Sequence, residues 1–367
     1  MINLKDIRFQ ILATVALLIM IGLVFIYNTS AQQAIRLNKF ELYFFIKQFI
    51  AIIIGFVGLI IAYKIPLSFY RKNVMLIFFL TLLLLVVVLF MSPVNGSRRW
   101  ISIPFFSFQP SEFAKFTVVL YLAHYLDKKN DKMWSFKTGF LPATLLVGIL
   151  ASLIIIEPDF GTTMLIVAVA FAMFLVGGAR LSHIFGIIGV VLPVLVAAMF
   201  AGEYRRNRLL NFLDPWEDQF GVGYQLIQSL ISVGSGGFFG KGLGNSTQKL
   251  SFLPESHTDF IYAIIAEETG LFGAMLVFII ILFLFRRMLQ ASFMNGDKFK
   301  KLLVFGLSLT LFIQSTVHIF VVIGLLPTKG LTLPFVSYGG SAIVISLFLI
   351  GVILRSIEEA SEEEKWK

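Results

Sequence analysis

The residues best suited to acid–base chemistry lie in Glu255–Asp259, which reads ESHTD. Asp259 is predicted to open a helix at the rim of a helix bundle, where its carboxylate could serve as a general base. Glu255, His257 and Thr258 stand beside it as candidate substrate-binding residues. A structural role is the alternative, because an acid in the first helical turn interacts favourably with the helix dipole and Thr258 could cap the same helix.

Cationic side chains accompany this acid. Arg98 and Arg99 precede a predicted span in which Glu112 and Lys115 are three residues apart. Arginine suits bidentate contact with phosphate and lysine a point-charge contact, so the group could bind a phosphorylated substrate. The alternative is a local Glu112–Lys115 ion pair, with the two arginines extending to the membrane interface.

Further charges follow predicted spans. Arg205 and Arg208 come after the seventh span, where they could bind anionic lipid headgroups or a pyrophosphate. Lys329 immediately precedes the stretch Gly330–Ser341, which contains Ser337 and is broken by proline. Non-helical backbone at membrane depth is tolerated where it lines a cavity, so we expect Lys329 and Ser337 to face one.

Metal-binding patterns are weak. Glu157 and Asp159 share a short turn that could bind a cation or simply begin a helix. The histidines form no zinc motif, which leaves a hydrated divalent cation (Mg or Mn) bound by carboxylates and substrate phosphates as the one metal hypothesis; no other cofactor is expected. The glycine-rich run Gly234–Asn245 lacks the Gly and Ser/Thr positions of a phosphate-binding P-loop, and the chain has no cysteine for thiol chemistry.

The composition of the chain indicates what kind of scaffold positions these residues. Of the 367 residues, 58% are hydrophobic and only 14% charged, with a mean hydropathy of +0.89. A soluble domain is roughly 45–50% apolar and about 25% charged, so lipid must act as part of the solvent. The sequence predicts an all-α integral membrane protein, a single polytopic domain over 1–367, with about ten spans: Gln10–Tyr27, Tyr43–Ala62, Val74–Met91, Ser111–Leu126, Gly139–Ile156, Thr162–Val176, Ile184–Phe200, Asp259–Phe285, Leu302–Leu326 and Phe335–Leu354.

Orientation follows from the basic residues. An even number of spans with both termini cytoplasmic places most Lys and Arg inside, so the net charge of +9 indicates membrane orientation rather than nucleic-acid binding. The long outer loop then covers about 201–256, and Tyr224–Val233 within it has the spacing of a short surface helix. Glu267 and Glu268 fall inside the eighth span, where ionisable groups suggest function or pairing with a basic residue of a neighbouring span.

Several of these stretches together resemble one family. The runs NGSRRWISIPFFSFQPSEFAK (Asn95–Lys115), EPDFGT (Glu157–Thr162), RRNRLLNFLDPWED (Arg205–Asp218), GYQLIQSL (Gly223–Leu230), FLPESHTDFIYAIIAEE (Phe252–Glu268) and LLPTKGLTLPFVSYGGS (Leu325–Ser341) resemble the bacterial SEDS proteins, in the same order. The DPWED and LLPTKGLTLPF strings are more similar to the division branch than to the elongation branch. His318 and Phe320 depart from that branch, in which an Asn and a Gly are expected.

The resemblance implies a peptidoglycan glycosyltransferase that polymerises lipid II at the outer face of the bacterial cytoplasmic (inner) membrane and releases undecaprenyl pyrophosphate. Asp259 matches the family's catalytic aspartate. A class B penicillin-binding protein transpeptidase, other division or elongation proteins and membrane lipids are the implied partners. Two other functions remain open from the residues themselves: a lipid II flippase, and a non-enzymatic scaffold that recruits a transpeptidase.

Overall fold

The structure, a computed structural model, describes residues 4–93, 97–103, 106–200, 212–221, 223–250 and 252–365. Its regular structure is almost entirely helical. The elements in chain order are α1 (Leu4–Arg36), α2 (Tyr43–Lys64), α3 (Leu67–Lys72), α4 (Val74–Val88), β1 (Ile101–Ile103), β2 (Phe106–Phe108), α5 (Pro110–Lys128), α6 (Leu141–Ile156), α7 (Phe160–Val176), α8 (Leu181–Phe200), α9 (Tyr224–Ser235), α10 (Ile261–Met294), α11 (Lys298–Val322) and α12 (Gly340–Lys365).

Each predicted span overlaps one of these helices. Six helical segments of the described chain are long and apolar enough to cross a membrane, and shorter apolar helices accompany them. The prediction of an all-α, multi-pass membrane protein is confirmed. The predicted surface helix is also present as α9, although Ser229 and Ser232 on one of its faces are buried against the bundle.

Two polar contacts mark the two ends of the bundle. Arg8, near the start of α1, pairs with Glu358, near the end of α12. Asn28 of α1 donates to both carboxylate oxygens of Glu268 at 2.8 and 2.6 Å. About 30 Å of helix separates Arg8 from Asn28 at 1.5 Å per residue, which is the thickness of a bilayer's hydrocarbon core. We call the Asn28 end the outer end, following the charge-based orientation.

Close helix packing forms the centre of the bundle. The helices α2 and α12 approach until a Cβ on Gly351 would lie 2.4 Å from the carbonyl oxygen of Leu59. Any larger residue at position 351 would therefore separate them. Large apolar side chains elsewhere in the bundle, such as Phe78, Leu85 and Phe116, are fully buried.

The helix α10 differs from its predicted span. Gly270 interrupts it with φ 69° and ψ −171°, a conformation that L residues avoid. The segment after the break, Leu271–Met294, is about 36 Å long and can cross the membrane alone. Glu267 and Glu268 lie just before this break, which the sequence pattern did not reveal.

A glycine-rich loop, residues 236–249, packs into that break. The amides of Lys241 and Gly242 donate to the carbonyl oxygens of Glu267 and Glu268 at 3.0 Å. The Lys241 ammonium binds Glu267 at 2.6 Å, and the Lys249 ammonium binds Glu268 at 3.1 Å. The acids thus form ion pairs with lysines of the outer loop rather than with a basic residue of a neighbouring span, although Asn28 of α1 also donates to Glu268.

Another irregular segment lies inside the bundle. Residues 323–339, which we call the central loop, connect α11 to α12. Leu331, Leu333 and Val336 within it are almost fully buried, and a Cβ on Gly22 of α1 would lie 2.6 Å from the Val336 carbonyl oxygen. The prediction that the tenth helix begins at Phe335 was wrong: Phe335 has φ 67°, and α12 begins at Gly340.

The β1–β2 hairpin was not foreseen. Its antiparallel pairing places Ile101 opposite Phe108 and Ser102 opposite Ser107. Ser341 at the start of α12 donates to the Ser107 carbonyl oxygen at 2.5 Å and accepts from the Gln109 amide at 3.1 Å. The hairpin is thereby fixed to the outer end of α12, next to the central loop.

Candidate functional site

Asp259 lies in a turn just before α10 rather than within it. Thr258 and Phe260 both donate backbone hydrogen bonds to the Glu255 carbonyl oxygen, at 3.1 and 3.3 Å, and α10 begins at Ile261. The prediction that Asp259 occupies the first helical turn was therefore wrong. Thr258 does not cap the helix either, since Phe260 is the capping residue.

The Asp259 carboxylate faces the central loop. The side chain is half-buried, and a Cβ added to Gly330 would lie 3.4 Å from its Oδ2. Glycine at position 330 leaves the space beside this oxygen open.

Ser337 ties the central loop to the Asp259 turn. Its hydroxyl donates to the Thr258 carbonyl oxygen at 2.7 Å and accepts from the Leu333 amide at 2.9 Å. The amide of Tyr338 donates to the His257 carbonyl oxygen at 2.9 Å. Ser337 is thus positioned to hold the two segments together, while its role in binding substrate stays a prediction.

His257 forms the inner wall of this turn. Its ring is buried between Phe44 and Tyr338, with centroid distances of 5.0 and 5.3 Å. Burial lowers the pKa of His257, although Glu255 acts in the opposite direction. Its Nδ1 has no hydrogen-bond partner among the described residues. The neutral imidazole can therefore act as a hydrogen-bonding or packing group.

Glu255 and Thr258 form a local pair on the outer surface. Thr258 Oγ1 donates to Glu255 Oε2 at 2.9 Å, and Glu255 is exposed. Glu255 has φ 54°, a strained conformation for a residue other than glycine. Strain of this kind often occurs at functional sites, where the surrounding structure maintains it.

Glu112 and Lys115 form a buried ion pair on α5. Lys115 Nζ lies 2.7 Å from Glu112 Oε2, and 3% and 6% of the two side chains are exposed. The same ammonium donates to Gln314 Oε1 of α11 at 2.7 Å, and Gln314 Nε2 donates to the Thr332 carbonyl oxygen at 2.9 Å. The structure thus has the local Glu112–Lys115 ion pair that the sequence offered as the alternative to a substrate contact. Gln314 connects this pair to the central loop.

The turn between α6 and α7 contains two acids with different environments. Asp159 caps α7 by accepting from the Thr162 amide at 3.1 Å, and its other oxygen accepts from Ser111 and Gln109. Glu157 is fully buried, and neither carboxylate oxygen has a partner in the described chain. Burial, reinforced by Asp159 and opposed by Arg99, raises the pKa of Glu157 to about 9.

The two arginines before β1 have separate roles. Arg99 Nε donates to the Glu157 carbonyl oxygen at 3.0 Å, and its Nη2 donates to the Pro158 carbonyl oxygen. Arg98 is exposed and donates to the Leu89 carbonyl oxygen at the end of α4. Arg99 thus stabilises the acidic turn while retaining other N–H groups for a ligand.

Lys329, another of the predicted cations, lies in the central loop. It directly precedes Gly330, which adjoins Asp259, and no ion pair of the described residues involves it. Burial lowers the pKa of Lys329. The predicted substrate contacts Arg205 and Arg208 lie outside the described residues.

The structure thus brings together the Asp259 turn, the central loop and the α6–α7 turn at the outer end. A Cβ on Gly161, two residues after Asp159, would contact Leu331 at 2.9 Å, so the α6–α7 turn packs directly behind the central loop. Sequence reasoning missed Gln314, Gln109 and Gln48. The signal in the sequence was weak: Gln48 and Gln314 are isolated glutamines in predicted spans, Gln109 comes just before one, and many structural roles share this placement.

Comparison with known proteins agrees with this arrangement. The family model described as "Cell cycle protein" (FtsW/RodA/SpoVE) matches residues 8–362, so the chain belongs to that family. It is 40% identical over 369 residues to a probable peptidoglycan glycosyltransferase FtsW from Saccharophagus degradans, covering 98% of this chain and 95% of the relative. A probable FtsW from Geobacter sp. (strain M18) is 37% identical over 94% of this chain and 95% of its own length.

Solved structures have the same fold. A chain of a peptidoglycan synthase complex, studied for the coordination of polymerization and crosslinking, superposes with a TM-score of 0.79 at 26% identity, covering 97% of this chain and 98% of that one. The Thermus thermophilus rod shape determining protein RodA gives 0.70 at 21% identity, covering 95% and 96%, and shows the fold alone. The predicted family is therefore confirmed, and the relatives bear the division protein's name.

Proposed function

We propose that this protein is a peptidoglycan glycosyltransferase of the FtsW type, which polymerises lipid II at the outer face of the bacterial cytoplasmic membrane. The observation that carries the proposal is the position of Asp259. Its half-buried carboxylate faces Gly330 of the central loop at the outer end of the bundle, and Lys329 directly precedes that glycine. Family membership and relatives named as glycosyltransferases support the reaction class.

In the proposed reaction, the acceptor sugar's hydroxyl oxygen attacks the anomeric carbon of the donor. Asp259 accepts the hydroxyl proton, a glycosidic C–O bond forms, and the bond from that carbon to the pyrophosphate oxygen breaks. The leaving group is undecaprenyl pyrophosphate, which carries the electron pair of the broken bond. No nucleotide is consumed, because the donor is already activated.

The leaving group gains negative charge, so positioned cations would stabilise it. Lys329 is best placed to do so, since it adjoins Gly330 and is partly desolvated. Arg99 lies behind it at the α6–α7 turn, and Arg98 is exposed nearby in sequence. Arg205 and Arg208 are proposed to contribute from the outer loop.

A metal ion is compatible with this chemistry only in a limited form. The described residues contain no group of three or more side chains suited to holding a metal ion. A divalent cation (Mg or Mn) would therefore depend on substrate phosphate oxygens for much of its coordination. Glu157 is a poor ligand while its raised pKa keeps it protonated.

The proposed partner is a class B penicillin-binding protein transpeptidase, which would crosslink the strands that this protein makes. The support is the likeness to a chain of a peptidoglycan synthase complex that coordinates polymerization with crosslinking. Other division or elongation proteins and membrane lipids are proposed as further contacts.

Asp259→Asn tests the proposal directly. It preserves the shape of the side chain and removes its basicity, so the rate of lipid II polymerisation should fall by about 10²- to 10⁴-fold. Asp259→Glu should recover little, because displacing the base by about 1 Å can cost 10²-fold. Asp131→Asn makes the same chemical change at an exposed position in the α5–α6 connection and should remain active.

The assay is single-turnover polymerisation of labelled lipid II by purified protein in nanodiscs, with a penicillin-binding partner supplied. Each variant must elute and unfold like the wild type. Near wild-type synthesis by Asp259→Asn would contradict the assignment. Movement of lipid II across a sealed bilayer without polymer would instead identify a flippase, and neither activity would identify a scaffold.

A further inference from the structure

The outer end of α2 carries an unexplained excess of positive charge. Between the end of α1 and the second turn of α2, the chain has Arg36, Lys39 and Lys47 against one acid, Glu41. All four residues are exposed, and no ion pair within the described ranges involves any of them. They lie on the side that basic residues usually avoid. An anion bound there would account for their placement.

Two of these cations lie close to the ring of Tyr43. The ammonium groups of Lys39 and Lys47 lie 5.6 and 4.6 Å from the centroid of its ring. Lys47 lies four residues after Tyr43 on the same face of α2, and Lys39, in the connection before α2, approaches the same ring. We call Lys39, Tyr43 and Lys47 the α2 rim. It presents two positive charges and one phenolic hydroxyl to the same region.

The α2 rim adjoins a surface suited to lipid chains. Ile46, Phe49 and Ile50 on the same helix are 40%, 48% and 48% exposed. Lys47 therefore stands among exposed apolar side chains in the first two turns of α2. A ligand that satisfies both would have a hydrocarbon chain and an anionic headgroup.

Aromatic contacts connect the α2 rim to the Asp259 turn. The ring of Phe44 lies 5.2 Å from that of Tyr43 and 5.0 Å from that of His257, which is two residues from Asp259. Gln48, in the next turn of α2, accepts from the Gly339 amide at 3.1 Å. The α2 rim and the candidate catalytic turn therefore share a wall, with the rim on the lipid side.

We propose that the α2 rim binds the diphosphate of a polyprenyl-linked sugar substrate at the outer leaflet, before the sugar reaches Asp259. This inference rests on the proposed function, because it assigns a docking position to the substrate of that reaction. The recognised chemistry is a diphosphate on a lipid chain. A phospholipid phosphate would share part of that chemistry, so the test must separate the two sources.

The main variant is Lys39→Gln/Lys47→Gln. Exposed charge pairs are each worth roughly 0.2–1 kcal/mol, so losing two should raise the KM for lipid II by about 2- to 30-fold. The kcat should not change, because neither lysine reaches the reacting atoms. The matched control is Lys64→Gln/Lys72→Gln near the opposite end of α2. It removes two exposed lysines that form no ion pair within the described part of the chain, and it should leave both constants as in the wild type.

Binding is measured separately from turnover, with undecaprenyl diphosphate titrated into nanodiscs that contain the protein. The apparent Kd should rise by the same factor in Lys39→Gln/Lys47→Gln, and Lys39→Arg/Lys47→Arg should retain binding. An unchanged KM and Kd, or a fall in kcat alone, would overturn the proposal. If the wild type binds the diphosphate lipid at the α2 rim but makes no polymer, the proposed function fails and this site stands.

The membrane composition separates the two lipid sources. The KM and Kd differences should persist in nanodiscs made only of zwitterionic phosphatidylcholine, where anionic phospholipid is absent. If the differences appear only when phosphatidylglycerol is present, the α2 rim binds a phospholipid headgroup and the proposal is wrong.

Discussion

Replacement of Lys115 by Met should destabilise the protein strongly, and a second replacement should repair it. Only 3% and 6% of the Lys115 and Glu112 side chains are exposed, and their charged atoms are 2.7 Å apart. Lys115→Met leaves the Glu112 carboxylate buried without its counter-charge and removes the donor to Gln314. Breaking a buried pair in this way costs about 3–5 kcal/mol of unfolding free energy.

The double variant Glu112→Met/Lys115→Met removes both charges and keeps similar volumes. Well-packed apolar replacements of buried ion pairs are often neutral or stabilising, so most of the lost free energy should return. Unfolding can be followed in detergent by the fluorescence of the four tryptophans, since a chain without cysteine does not react with thiol-specific dyes. The two single variants and the double variant complete a mutant cycle.

Activity then distinguishes the two roles weighed for Lys115. If the ammonium acts through Gln314 to hold the central loop, the stable double variant should polymerise lipid II within about tenfold of the wild type, a 1.4 kcal/mol effect. If the ammonium contacts the pyrophosphate, the double variant will be stable and inactive. A stable double variant with a loss of about 10²-fold or more would refute the structural reasoning.

Two further substitutions test other parts of the structure. Glu157→Gln tests the pH dependence of stability. The folded-state pKa of Glu157, about 9, lies above its ordinary value of 4.5, so wild-type stability should decrease as pH rises from 4.5 to 9, by up to about 1.4 kcal/mol per pH unit. The melting temperature of the variant should vary less over this range. A parallel pH dependence of the two proteins would contradict the burial of this carboxyl. Gly240→Ala should cost at least about 1 kcal/mol, because φ is 79° and the added Cβ would lie 2.2 Å from the Glu268 carbonyl oxygen. Gly58→Ala is the control, because an added Cβ there would meet open space, and it should be neutral or slightly stabilising. Equal stability of Gly240→Ala and Gly58→Ala would argue against the close packing of the glycine-rich loop at Gly270.

The sequence predicted the helices because lipid imposes a strong constraint on them. A crossing segment needs about 20 apolar residues, and backbone groups in lipid must be satisfied within the segment. Boundaries were less accurate, as at Phe335 and Asp259, because the outer ends of the helices contain irregular backbone that is buried in protein. Nothing in hydropathy distinguishes such a segment from the end of a helix.

The break at Gly270 shows the limit of composition more clearly. Glu267 and Glu268 lie between apolar residues, so the sequence alone predicts either a functional role or a basic partner on a neighbouring span. The structure instead pairs them with Lys241 and Lys249, which come from a loop about twenty residues earlier in the chain. The partners of a buried charge are determined by tertiary contacts, and a single sequence does not contain that information.

The candidate site depends on residues that carry no charge. The central loop has buried backbone groups outside any helix, and these must be hydrogen-bonded to remain stable. Gln314 binds the Thr332 carbonyl oxygen, Gln48 binds the Gly339 amide, and Ser337 binds the Leu333 amide. Neutral side chains can satisfy these groups at a lower desolvation cost than ions would. The position of Asp259 opposite Gly330 therefore depends on three polar side chains, and of these the sequence pattern had singled out Ser337 but not Gln314 or Gln48.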